Sequence, residues 1–237
     1  MSYDYEGNIH SAIFHRRLNR FVAEVELDGK MVLAHVKNTG RLPELLVEGA
    51  LCYLQESKSL VRKTKYDLLT IEYMGNLVNL DSQVSNKVVQ RAFEQGLIEG
   101  WEGIDRIENE VSVGNSRLDL RVQKGERILY VEVKGVNLVL PGGHARFPDA
   151  PTQRGTKHLR ELIQLVQQGY QAMVLFLIMR EDAVDFAPNG KMDPAFAEAF
   201  YEARDSGVDI RIYDTKILPA SVCFHNPVPL AGRENRM

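Results

Sequence analysis

Three side chains in two adjacent β-type segments, Asp119, Glu132 and Lys134, have the types and spacing to bind a metal ion and act on a phosphodiester. In SRLDLRVQ the apolar residues Leu118, Leu120 and Val122 alternate with Arg117, Asp119 and Arg121. In ILYVEVK, Leu129, Val131 and Val133 alternate with Tyr130, Glu132 and Lys134. Side chains switch faces at every residue of a strand, so the acids and the lysine fall opposite the apolar face in both. Gly125-Glu126 between the segments suits a two-residue type II′ turn, with glycine first. That turn pairs Asp119 directly with Glu132. Carboxylates about 5 Å apart across a ladder repel unless a cation lies between them. A hard cation such as Mg²⁺ or Mn²⁺ takes one or two carboxylates and keeps water for a substrate phosphate. The catalytic reading is then Asp119 and Glu132 as metal ligands, with Lys134 orienting or polarising the nucleophile. A solvated lattice of diagonal ion pairs satisfies the same alternation and stays open at this point.

Basic residues supply candidate nucleic-acid contacts. Arg154, Lys157 and His158 lie three and four residues apart at the start of a helical pattern, where a basic first turn opposes the helix dipole and suits a waiting phosphate. The competing reading is a solvated helix face with Glu161 as ion-pair partner. Arg146, in the Gly/Pro-rich stretch VLPGGHARFPDAP, is a further candidate. Toward the N-terminus, Arg16 and Arg17 form one basic cluster with Arg20, and Lys63 belongs to a second with Lys58, Arg62 and Lys65.

These residues need elements to position them. Residues 12 to 80 contain short β-rich runs, IFHRRLNRFVAEVEL, MVLAHVK, ALCYLQE, YDLLTIEYM and NLVNL, with hairpin turns expected at Asp28-Gly29 and Gly75-Asn76. Five strands in this length fit an OB-type barrel, with an SH3-like barrel as the alternative. After Asp81 the texture changes. Val84, Val88, Val89, Ala92 and Phe93 recur at helical spacing, closing on Gly96 or Gly100, and imply a boundary near residue 82. The order then expected is three strands, a loop over 139–151, a helix over 154–169, the buried strand AMVLFLIM, a helix capped by Asp193-Pro194 and ending at Gly207, and a last strand VDIRIYD. The fold class is α+β, with units 1–81 and 82–237. The KNTG turn at 37–40 is expected to fix backbone geometry through Asn38 and Gly40, and the tail AGRENRM to be disordered.

The 237 residues are 44% hydrophobic and 26% charged, enough for a substantial core. A net charge of −3 argues against coating nucleic acid by bulk charge, so any DNA contact must come from local basic patches. Cys52 and Cys223 stand apart, outside any zinc or disulfide pattern. No apolar run reaches the roughly 18 residues of a membrane span, and the N-terminus lacks the order of a signal peptide, so a cytoplasmic protein without a membrane partner is expected.

Over nearly its whole length the chain resembles the sugar fermentation stimulation protein family of prokaryotes. The resemblance rests on HVKNTG at 35–40, SNKVVQRAF at 85–93, SRLDL at 116–120, YVEVKGV at 130–136 and FPDAPTQRGTKHLREL at 147–162. It implies an N-terminal OB-type barrel followed by a PD-(D/E)XK nuclease-like domain. It also implies DNA binding without sequence preference and a candidate role in regulating sugar (maltose) metabolism. Asp119, Glu132 and Lys134 match the nuclease triplet, and Arg154, Lys157 and His158 the basic stretch of the next helix. Gln153 stands where the family pattern more often has an acid. The helix over 82–93 contains no acid, so a third metal ligand has to come from Glu94, Glu110 or nowhere.

Overall fold

The computed structural model describes residues 2–38, 40–59, 61–114 and 116–232. The first strand, β1 (Ser2–Asp4), pairs antiparallel with β16 (Ser221–Pro227) near the other end of the chain. The barrel follows, formed by β2 (Ile9–Asn19), β3 (Val22–Leu27), β4 (Lys30–Val36), β5 (Leu51–Glu56) and β6 (Tyr66–Tyr73). Its order is β4-β3-β2-β5-β6, with parallel β4–β6 pairing closing it, while β7 (Asn76–Asn79) extends β6 outward. Alternating inward residues, among them Phe14, Val25, Val36, Leu54 and Leu68, fill the interior. The run expected as one strand over 13–27 is two, β2 and β3, turning at Arg20-Phe21. The turn expected at Gly75-Asn76 lies one residue earlier, because Tyr73 pairs with Asn76 and both Met74 and Gly75 take positive φ.

The second unit begins with α1 (Val84–Glu94), continues through β8 (Arg106–Val113), β9 (Ser116–Lys124) and β10 (Arg127–Val136), and then β11 (Val139–Leu140) and β12 (His144–Phe147). After these come α2 (Gln153–Gln167), β13 (Gln171–Ile178), β14 (Asp185–Pro188), α3 (Pro194–Asp205), β15 (Asp209–Leu218) and β16. The seven-stranded sheet runs β1-β16-β15-β13-β10-β9-β8, with parallel pairing at β10–β13 and β13–β15. Central β13 is covered on both faces. Met173, Leu175 and Leu177 join Val84, Val88 and Phe93 of α1 on one side, and Val174, Phe176 and Ile178 join α2 and α3 on the other. A continuous apolar run is what a doubly covered strand needs.

Helix starts follow their capping residues. Thr152 accepts from the Gly155 N–H at 3.0 Å and Asp193 from the Phe196 N–H at 3.0 Å. Asp193 also accepts from the Thr152 N–H at 2.8 Å, tying the two helix starts together. Four expectations need correction. The stretch 139–151 is not one loop, since β11, β12 and β14 form a small sheet that buries Ala145. VDIRIYD is not the last strand, because β15 continues to Leu218 and turns into β16. The N-terminal unit also yields β1 to the other sheet. Leu118 does not share a face with Leu120 and Val122: it packs with the α2 side and they pack with the α1 side. Residues 233–237 of the tail lie outside the described residues.

Polar contacts close the seam between the units. The Asn137 side chain donates to the Asn79 carbonyl at 2.7 Å and accepts from the Asn38 amide at 3.1 Å, and Ser82 Oγ donates to the Lys37 carbonyl at 2.6 Å. Asn38 also accepts from the Gly40 N–H at 2.8 Å, the backbone role expected of that turn.

Candidate metal centre and nucleic-acid interface

The β9–β10 hairpin turns at Gly125-Glu126, with Gly125 at φ +59° as the first position of a type II′ turn requires. The expected register holds from Arg127↔Lys124 to Val131↔Leu120. It stops one step before Asp119 would meet Glu132. This corrects the direct pair expected from alternation, and electrostatics supplies the reason: carboxylates opposite each other across a ladder repel. The Asp119 carboxylate takes up the vacated hydrogen bond, with Oδ2 accepting from the Val133 N–H at 2.8 Å. On the other side of β9, Glu110 and Asp119 drop out of an otherwise continuous β8–β9 ladder, and Glu110 takes φ +56°. Asp119 thus sits at a local break in both ladders, where the strand changes which face it buries.

Helix α1 reaches this break from one side. Asn86 Nδ2 donates to Asp119 Oδ1 at 2.7 Å. The approach is close, since a Cβ at Gly135 would stand 2.8 Å from Ser85 Oγ, which would have to shift to make room. From the other side, α2 aims His158 at the second acid. Glu132, 3% exposed, receives Lys134 Nζ at 2.6 Å and His158 Nδ1 in a short contact, both on Oε1. Arg154 Nε points at His158 Nε2 at 3.4 Å, which assigns the proton of a neutral ring to Nδ1. Glu132 Oε2 is buried without a partner among the described residues.

The two acids are held differently. Burial, and next the charge of Glu132, push the Asp119 pKa up against the hydrogen bonds from Val133 and Asn86 and the charge of Lys134. Burial also works to raise Glu132, but the His158 hydrogen bond and Lys134 outweigh it and bring its pKa below the ordinary value. Among the described residues no group of three or more His, Cys, Asp or Glu forms a metal cage. Two carboxylates, one with an unsatisfied buried oxygen, still fit a cation that completes its shell with water. Both candidate third acids have partners of their own: Glu94 is bonded by Gln90 and Glu110 by Arg117. The α1 residue facing Asp119 is Asn86, which sequence reasoning missed. An amide one turn into the helix ahead of the hairpin was the available signal.

The basic candidates divide. Arg154 and Lys157 are exposed on α2, with Lys157 3.7 Å from Glu161 as the ion-pair reading anticipated. His158 is 3% exposed and turned onto Glu132, so it is not a direct contact to DNA; its place on the inner arc of α2, beside Leu159 and Leu162, forces this. Arg146 is half-buried and bonded to Asp185 at 3.0 Å, beside a polar cavity of about 180 Å³ at the seam. Arg17 is spent on structure. Its guanidinium donates to the carbonyls of Arg20 and Gly40 at 2.6 Å, Asn38 at 2.8 Å and Arg41 at 2.9 Å, which corrects its assignment as a DNA contact. Arg16 is exposed and paired with Glu24 at 2.8 Å, and Lys63 is exposed. No helix among the described residues is long and apolar enough to cross a membrane.

The family model described as the sugar fermentation stimulation protein RE domain matches residues 83–221, and that of the SfsA N-terminal OB domain matches residues 16–80. A sugar fermentation stimulation protein homolog of Desulfitobacterium hafniense is 45% identical over 215 residues, 91% of this chain and 92% of its own. One from Carboxydothermus hydrogenoformans is 47% identical over 214 residues, 90% and 93% of the two chains. The solved structure of Pyrococcus furiosus SfsA in complex with Ca²⁺ is 32% identical, covers 98% of this chain and 100% of that one, and superposes with a TM-score of 0.88. The barrel is therefore an OB domain, the sheet-and-helix unit is the nuclease-like domain, and the chain belongs to the sugar fermentation stimulation protein family.

Proposed function

We propose that this protein binds DNA without sequence preference and holds a divalent cation, Mg²⁺ or Mn²⁺, between Asp119 and Glu132 of its nuclease-like domain. The observation that carries the reading is the buried, unpartnered Glu132 Oε2 at the place where β9 and β10 part around Asp119. A buried acceptor left without a donor costs about 1–3 kcal/mol. A ligand that completes it recovers that cost. The Ca²⁺ in the Pyrococcus furiosus relative supports a divalent ion in a chain of this fold. DNA contacts would come from Arg154 and Lys157 on α2, with Arg146 at the seam and Arg16 and Lys63 adding sequence-independent phosphate contacts from the barrel.

The same geometry favours a second reading, a metal-dependent DNA endonuclease. A bound cation supplies charge neutralisation at the phosphate and lowers the pKa of a water. Lys134 keeps a positive charge at Glu132 Oε1, within reach of a phosphate oxygen as charge develops on it. His158 donates to the same oxygen, and Arg154 fixes the ring through Nε2. These two are positioning residues, which leave Oε2 as the free ligand atom. A role in sugar (maltose) metabolism would act through the DNA binding.

The test measures DNA affinity against salt and against metal, with cleavage of plasmid, single-stranded and branched DNA followed in parallel in Mn²⁺ for wild type, Asp119→Ala and Glu132→Ala. Affinity should fall steeply with salt and be strengthened by metal in wild type alone. A flat salt response sinks the DNA-binding reading. Absence of cleavage on every substrate sinks the nuclease reading and leaves the first intact.

A further inference from the structure

One face of α2, carrying Lys157, Arg160 and Glu161, borders a groove of about 940 Å³, with Val113 and Gly114 of the β8–β9 tip also lining it. Pro151, Leu165 and Ala195 give it apolar surface, and Lys157 and Arg160 bring two cations. From Gln153 to Gln168 it follows α2 for on the order of 22 Å, at about 1.5 Å per residue. The same helix serves the candidate metal centre: His158 points at Glu132, while the preceding residue, Lys157, lines the groove.

Glu161 also lines this groove, with one carboxylate oxygen, Oε1, 3.7 Å from Lys157 Nζ. The other, Oε2, is buried and has no partner among the described residues. Cations and an unsatisfied anionic acceptor side by side call for a ligand with two kinds of chemistry. Lys157 and Arg160 suit a phosphate, whereas Glu161 repels one and needs a hydrogen-bond donor. A nucleotide carries both. Its phosphate is anionic, and the exocyclic amino groups of cytosine, adenine and guanine are donors, cytosine N4 being a known partner of carboxylates. In a duplex the Watson–Crick hydrogens of those amino groups are engaged by the opposite strand. A free base offers them, and its faces can lie on Val113, Leu165 and Ala195.

We infer that this groove binds an unpaired strand continuing from a duplex held at the metal centre, with the base edge read by Glu161, so that the substrate class is DNA carrying a single-stranded tail. The inference rests on the DNA-binding reading above. Full-length protein in Ca²⁺ at fixed salt would be titrated, by fluorescence anisotropy, against three probes: a blunt duplex, the same duplex with an oligo(dC) tail, and the same duplex with an abasic tail of equal length. A hydrogen bond to a charged group contributes about 1.5–3 kcal/mol, so the dC tail should bind roughly tenfold or more tighter than the abasic tail. Glu161→Ala should remove most of the dC preference and leave only the part that the base face gains from the apolar walls. Equal affinity of wild type for the two tails overturns the inference with no variant involved, and so does a dC preference that Glu161→Ala leaves undiminished. Failure to bind any probe, blunt duplex included, overturns the DNA-binding reading itself, and so the two failures are distinct.

Discussion

Two buried ionic clusters, one at the foot of the barrel and one in the nuclease-like domain, are built from the same residue types and closed to different degrees. In the first, Asp67 receives Arg62 on Oδ1 at 2.5 Å and Lys37 on Oδ2 at 3.1 Å, and Lys37 continues to Asp81 at 3.1 Å. Both Asp67 oxygens have a cation. In the second, Lys134 and His158 converge on one oxygen of Glu132 and leave the other bare, while Asp119 faces a neutral amide and a backbone N–H. A cluster whose acids are all answered by cations of the chain has no need of a further ion. One that leaves an acceptor open beside a second acid would, on the reading proposed above, be completed from outside.

The contrast breaks most visibly at the candidate metal centre. Asp119→Asn keeps an oxygen able to accept from Val133 and removes the repulsion with Glu132. It should lower Mn²⁺ affinity on the order of 100-fold, because even a supporting partner of a metal ligand is worth roughly 10- to 100-fold. Stability without metal should hold or rise. Titration calorimetry and urea unfolding measure the two quantities on one sample. A variant that unfolds while metal affinity survives would make Asp119 a structural residue like Asp67.

Asp67→Ala should do the reverse. Removing one partner of a buried pair costs about 3–5 kcal/mol when the other charge is left with no partner. Lys37, largely buried, keeps Asp81 at 3.1 Å, so the loss should fall below that range. Urea unfolding should show the loss, with Mn²⁺ affinity unchanged; coupled loss of both would mean that the barrel and the metal centre form one cooperative site.

Acid sharpens the same point. Burial works to raise the Asp67 pKa, but the hydrogen bond from Arg62 and the charge of Lys37 outweigh it and hold the pKa below its ordinary value near 3.8. A carboxylate whose folded pKa is depressed contributes stability that is complete above the unfolded value and is lost as pH falls through the folded one. The wild-type stability curve should therefore drop below about pH 4, and Asp67→Ala should flatten that part of it. Identical acid limbs in the two proteins would remove Asp67 as the source.

Strand alternation in SRLDLRVQ and ILYVEVK was enough to place the hairpin, its turn and its register, because a period of two and a Gly-first turn are local properties. The opening of the ladder at Asp119 was not legible, since it follows from repulsion between carboxylates brought together only by folding. Nor was the role of Arg17, whose acceptors lie 2 to 24 residues away and converge only when the barrel closes. His158 resembled a phosphate contact because its four-residue spacing from Arg154 was visible, whereas the buried arc set by Leu159 and Leu162 decides where it points. β1 escaped notice for a related reason: its three residues carry no periodicity, and its pairing with β16 joins segments more than 200 residues apart.

The smallest effects fall on exposed cations, where the two units can be compared directly. Each phosphate contact adds about −0.9 to the slope of log affinity against log salt. Arg154→Ala should make that slope shallower by nearly one, with a further loss of metal-dependent affinity because the His158 ring loses its partner. Arg16→Ala, in a strand where Glu24 already answers the charge, should change stability by less than about 0.5 kcal/mol and the slope by a fraction of one. Fluorescence anisotropy over a salt series resolves both. Equal slope changes for Arg16→Ala and Arg154→Ala would extend the DNA track across the barrel and make the seam, with Arg146 beside it, the middle of the interface rather than its edge.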